Sequence, residues 1–161
     1  MEKQKLYLDT SIPSAYFDNS KPIRQLVTQK WFELETVNFD LFTSVITIQE
    51  IERIKNEIKK QNIKDLIVDY NIEILDLNEK SKLLAEEYIR KGAIPKTEPE
   101  DSLHIAIAVI NQINYLASWN FKHIVNINPI RKIHEINIKN GLNIIEIGSL
   151  ELFGGYKYGN L

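Results

Sequence analysis

The chain has 161 residues, enough for one domain with a real core and too few for two ordinary ones. Apolar residues make up 43% and charged residues 26%, and the formal charge of −2 excludes a strongly basic nucleic-acid coat while leaving room for a local basic groove. With no cysteine, disulfides, thiolate metal sites and cysteine nucleophiles are excluded outright.

Residues 5–8 read as a first strand, stopped by Asp9-Thr10-Ser11. Pro13 suits the first turn of a short helix through Phe17, and a second helix is expected over 22–37, where Ile23, Leu26, Val27, Trp31 and Leu34 fall near helical spacing. Residues 39–44 form a second strand. A long amphipathic helix is expected over 47–62, with Ile48, Ile51, Ile54 and Ile58 on one side, and a further helical turn or two over 63–70. Residues 71–77 alternate as a third strand. A helix over 79–91 ends on Gly92, and after the loop 93–98 an almost wholly apolar helix over 99–113 should be buried. Strands at 114–118 and 143–147 enclose a helix over 129–140. Residues 1–161 read as one domain, with 152–161 as a loosely held Gly/Tyr-rich tail.

Strands separated by helices require crossover connections, hence a mostly parallel sheet with helices on both faces. Ligands in such folds bind outside the carboxyl ends of the strands. Four residues follow strands or open the next helix: Asp9, Glu50, Asp101 and Asn120. Carboxylates gathered at one edge repel unless a cation joins them, and oxygen donors without a His or Cys cluster favour Mg²⁺ or Mn²⁺ over zinc. Each has a plainer reading. Asp9 can start an Asx turn, Thr47-x-x-Glu50 fits a capping box, and Asp101 with Glu100 can complement a helix dipole after Pro99. Helical geometry does not decide whether Glu100 or Asp101 points inward. Alone, Asn120 is an ordinary turn residue. The case rests on the set.

Leu6-Tyr7-Leu8-Asp9-Thr10-Ser11, then the segment from Thr43 to Ile51, then Asp101-Ser102-Leu103-His104-Ile105-Ala106-Ile107-Ala108, and last the segment from Asn114 to Phe121, resemble the successive motifs of PIN domains. The resemblance covers most of the chain up to about residue 150. It implies an α/β/α sandwich, a three-layer fold with a mostly parallel sheet of about five strands. It also implies a Mg²⁺- or Mn²⁺-dependent ribonuclease of the VapC-like kind, hydrolysing RNA to 5′-phosphate and 3′-hydroxyl ends. By the same resemblance Asp9, Glu50 and Asp101 are metal ligands, and Thr10 or Ser11 supports the first ligand or touches a phosphate. Many such relatives are toxins silenced by a cognate antitoxin, and a homodimer is expected by analogy, with an interface on the second to fourth helices. Where many relatives place a fourth acid, this chain has Asn120, whose amide can coordinate through its oxygen or orient a water but brings no charge. Glu98 and Glu100 are near enough in sequence to compensate.

His104 can share a helix face with Asp101 and reads as an orienting hydrogen-bond partner or a packed core histidine. Lys122, Lys96, Arg24 and His123 are candidates for phosphate contact, and Tyr156 and Tyr158 for base stacking, although surface cations commonly serve solubility alone. His134 has no visible partner. No secretory signal is evident, and the longest apolar run, 105–110, is too short to cross a bilayer. A cytoplasmic protein is expected. Two other functions fit the same residues: a PIN-like module that binds RNA or protein without cutting, and, further off, a phosphatase using Asp9 as nucleophile. The second lacks the usual acid two residues on, where Ser11 stands.

Overall fold

Alternating side chains along the first strand set the layers. In β1 (Gln4–Leu8) Leu6 and Leu8 face one side and Tyr7 the other, and all three are buried, as in the centre of a sheet covered on both faces. The computed structural model describes residues 2–154, so Tyr156 and Tyr158 lie outside the described residues. After β1 the chain forms α1 (Ser11–Tyr16), α2 (Pro22–Glu35), β2 (Phe39–Ser44), α3 (Val45–Glu52), α4 (Glu57–Asp69) and β3 (Glu73–Leu75). It continues through α5 (Glu79–Arg90), α6 (Pro99–Ile110), β4 (Tyr115–Ala117), α7 (Ile127–Lys139) and β5 (Glu146–Gly148).

The five strands are all parallel, in the order β3-β2-β1-β4-β5, with Leu6 beside Leu41 and Tyr7 beside Leu116. Leu6 and Leu8 pack with Ile12 of α1, Trp31 and Phe32 of α2 and Leu66 of α4. Tyr7 packs with Tyr88 of α5, Ile105 and Ile107 of α6 and Ile133 of α7. The result is the three-layer α/β/α sandwich. Strand order reverses between β1 and β4, which places the crevice of a doubly wound sheet at their carboxyl ends.

The main departures from the expected bounds fall on four elements. The helix expected over 47–62 is two helices. Ser44 caps α3 at Val45, accepting from Ile46 N–H, and α3 ends before Arg53. Asn56 starts α4 by accepting from the amides of Ile58 and Lys59 at 3.1 Å each, which leaves Ile58 75% exposed. The buried helix stops at Ile110 because Gln112 takes a left-handed φ of 59° and Ile113 N–H returns to the Ala108 carbonyl. Only Glu146–Gly148 pairs in the last strand, and only Glu73–Leu75 in the third. The segment expected to be loose begins inside a packed 3-10 turn, Leu150–Phe153: Leu150 and Phe153 are buried, and Trp31 donates its indole N–H to the Phe153 carbonyl at 3.3 Å.

Candidate active site at the strand carboxyl edge

Asp9 directly follows β1, and its carboxylate is 3% exposed. A buried charge needs donors, and two serines supply them. Ser11 Oγ donates to Asp9 Oδ1 at 2.5 Å and accepts from Trp119 N–H at 2.8 Å. Ser118 Oγ donates to Asp9 Oδ2 at 2.5 Å and accepts from Asn120 N–H at 2.9 Å. Each hydroxyl thus passes a backbone N–H from the turn after β4 to one oxygen of Asp9. Burial pushes the Asp9 carboxyl above its ordinary value, against the pull of His104 and the two serines. With both oxygens held, Asp9 has the setting of a ligand or electrostatic anchor rather than of a free nucleophile.

Glu50 is not a cap. Because α3 begins at Val45, Glu50 sits well inside the helix, and the capping-box reading of Thr47 and Glu50 is overturned. Glu50 Oε1 accepts from Thr10 Oγ1 at 2.8 Å and lies 2.7 Å from His104 Nε2. Burial raises the Glu50 carboxyl, but the hydrogen bond and charge of His104, with Thr10 behind them, outweigh it and hold the group below its ordinary value. His104 is buried at 2% exposure, its Nδ1 2.7 Å from Tyr7 Oη, which in turn bonds Ser44 Oγ at 2.7 Å. A chain of polar contacts therefore runs from the α3 cap through Tyr7 and His104 to Glu50. Its Tyr7 member was not identified from sequence, since a tyrosine inside an apolar strand carries no local signal.

In the first turn of α6, Asp101 turns towards the site while Glu100 turns out to Arg53, 2.9 Å away. Burial lifts the Asp101 carboxyl to about 7, and the charges of Asp9, Glu98 and Glu50 add to the rise, opposed by His104. Asn120 donates from its amide nitrogen to Asp101 Oδ2 at 3.1 Å, while its amide oxygen accepts from His123 N–H at 3.0 Å. The oxygen expected to coordinate a metal is thus turned into its own loop, and the face towards Asp101 is a donor.

The structure therefore ties Asp9 to Ser11 and the β4 turn, Glu50 to Thr10 and His104, and Asp101 to Asn120. Among the described residues no group of three His, Asp or Glu side chains is already assembled as a metal site. The donor set nonetheless suits a hard divalent cation, being carboxylates and hydroxyls, and the charge of Glu50 raises both Asp9 and Asp101, opposed by His104 at both and by Ser11 and Ser118 at Asp9. Glu98 lies 3.8 Å from His123 Nε2, and its charge reaches Asp101. His134, expected to lack a partner, donates to the Ile145 carbonyl at 2.8 Å. Lys122 lies on the turn after Asn120, exposed, between two surface cavities.

An all-parallel α/β/α sandwich with carboxylates gathered at its switch point defines a class of fold and site. The PIN domain family matches residues 6–120, from within β1 to Asn120, and the chain belongs to that family. No match is found among curated protein sequences. Among solved structures the fold is similar to VapBC2 from Rickettsia felis bound to a DNA fragment from their promoter. That likeness has a TM-score of 0.57 at 18% identity, over 89% of this chain and 97% of that one. VapBC-1 from nontypeable Haemophilus influenzae is similar at a TM-score of 0.54 and 17% identity, over 92% and 99% of the two chains.

Proposed function

We propose that this chain is a Mg²⁺- or Mn²⁺-dependent endoribonuclease, the toxin of a type II toxin-antitoxin pair, acting in the cytoplasm and held silent by a cognate antitoxin. The observation that carries the nuclease reading is that Asp9 and Glu50 lie near enough for their charges to act on Asp101, which burial first and its acidic neighbours second raise to about 7 and which Asn120 bonds at 3.1 Å. Unbalanced negative charge of that kind is relieved by a cation. Asp9, Glu50 and Asp101 are the residues that would hold it. The cation supplies Lewis-acid activation of water and neutralises charge on a phosphoryl group. Ser11 and Ser118 fix the Asp9 carboxylate, His104 and Thr10 orient Glu50, and Asn120 orients Asp101. The partner reading is supported by the likeness to VapBC structures. No helix among the described residues is long and apolar enough to cross a membrane. Homodimerisation rests on family analogy alone.

The test is cleavage of mixed RNA in Mn²⁺ by the parent chain and by Asp101→Asn. Cleavage should fall by at least about a hundredfold in the variant, of the order seen when one electrostatic group is lost from an active site. Equal cleavage by both chains, or none by the parent, rules the nuclease out. In the second case the reading as a PIN-like binding module takes its place.

A further inference from the structure

The surface beside the carboxylates carries a feature that the acid site does not need. Phe121, one residue past Asn120, is 48% exposed. Its ring meets that of buried Trp119 edge-on at 6.1 Å, and the Arg24 guanidinium lies over both rings, 5.3 Å from Trp119 and 5.7 Å from Phe121. Trp119 is itself fixed, its indole N–H donating to Thr28 at 3.0 Å. An exposed ring on a rigid base, backed by a guanidinium, is the arrangement on which a nucleobase stacks.

Charge extends the feature in two directions. A cavity of about 510 Å³ runs from Ser11 and Asn120 past Phe121 to Lys21 and Arg24, with Lys122 on its wall. A second, of about 580 Å³, is lined by Arg90, Lys96, Lys122 and His123 and by no acid. Lys122 belongs to both. The first cavity has one acid, Asp18, whose carboxylate accepts from Ser20 and is held low by that bond despite its slight desolvation. Neither Arg24 nor Lys122 forms a salt bridge among the described residues. On a chain of net charge −2, a cationic path flanking an anionic site is a local arrangement rather than a general excess of lysine.

We propose that a single-stranded polynucleotide crosses this surface, its backbone passing over Lys122 from one cavity to the other and one base stacking on Phe121. The path fits a flexible polyanion with flat bases, because one exposed ring is flanked by Arg24 on one side and Lys122 on the other. This rests on the nuclease reading only for what happens to the strand at the neighbouring acids.

Binding of a short single-stranded RNA of mixed sequence, with one 2-aminopurine, tests the path in EDTA, where cleavage is off. Parent chain should quench the probe. Phe121→Ala should weaken binding about 5- to 150-fold and abolish the quenching, whereas Phe121→Tyr should keep both. Lys122→Ala should lower the salt slope of log K by about 0.7, one phosphate contact on a single strand. Unchanged binding and quenching in Phe121→Ala overturns the proposal and leaves the aromatic face to a protein partner. Failure of the parent to bind overturns it as well, as does equal binding of the matching duplex. Cleavage in Mn²⁺ is read separately. Phe121-dependent binding without cleavage keeps the path and removes the nuclease, and cleavage with Phe121-independent binding does the reverse.

Discussion

Asp101 carries a carboxyl that titrates at about 7 in the folded chain, raised first by burial and then by Asp9. In the unfolded chain it returns to its ordinary value, 3.8. Below about pH 4 both states are protonated and the fold carries no penalty from this group. Between about 4 and 7 the unfolded chain loses its proton first, so stability falls as pH rises, and the loss is complete above 7. Removing the charge should therefore help in cation-free buffer. Asp101→Asn is expected to gain about 1–2 kcal/mol at pH 8, allowing for partial exposure, and almost nothing at pH 4. Urea denaturation at the two pH values measures it, and an equal effect at both would contradict the assignment. Tyr7 gives a second residue-scale prediction. Its hydroxyl bonds both Ser44 and His104 in a buried place, so Tyr7→Phe strands their polar atoms and should cost about 1–3 kcal/mol, read from the urea midpoint at constant slope. Neither contact was legible in the sequence, since Tyr7 and His104 lie 97 residues apart. Asp9 stood out because a charge follows three apolar strand residues, whereas its holder Ser118, 109 residues on, read only as the last residue of the strand expected over 114–118.

Elements were legible where one strong signal acted alone. The strand Phe39–Ser44 has the bounds expected of it, being flanked by helical patterns on both sides. The break between α3 and α4 was hidden because Ile48, Ile51, Ile54 and Ile58 keep helical spacing straight through it. What interrupts them is Asn56, whose side chain competes for the amides of Ile58 and Lys59. Asn56→Ala should destabilise the fold by about 1 kcal/mol, while Asn56→Asp should be near neutral; thermal melts of the three chains compare them. An Asn56→Ala chain as stable as the parent would show that the cap does not hold the break. The break matters to the site, for it ends α3 just beyond Glu50 and lets Arg53 reach Glu100 on α6. The last strand was misplaced for a similar reason. Residues 143–147 are the more apolar stretch, but pairing begins where Glu146 meets Tyr115 and the Ser118 N–H reaches the Gly148 carbonyl.

At the scale of the molecule, the acids share one edge because β1 and β4 are neighbours at the point where strand order reverses. The two helical layers bury separate apolar clusters, one on each face of the sheet. A cation bound there favours the folded state by mass action. At a hundredfold excess over its dissociation constant Mn²⁺ should add about 2.7 kcal/mol, and raise the melting temperature by about 5–10 °C for a chain of this size. Asp9→Asn should erase most of that shift, and differential scanning calorimetry with and without EDTA measures both. A parent chain that melts at the same temperature in each buffer would remove the metal from the account. The serine relay to Asp9 also has a consequence in time. Synthesis proceeds at about 5–20 residues per second, so Asp9 leaves the ribosome roughly 5–20 s before Ser118 can reach it. Until then the nascent chain holds the first acid without its second serine and without the neighbouring strand β4. A polypeptide still being translated has not yet assembled this edge, so the site is a property of the finished sheet and not of the segment that carries Asp9.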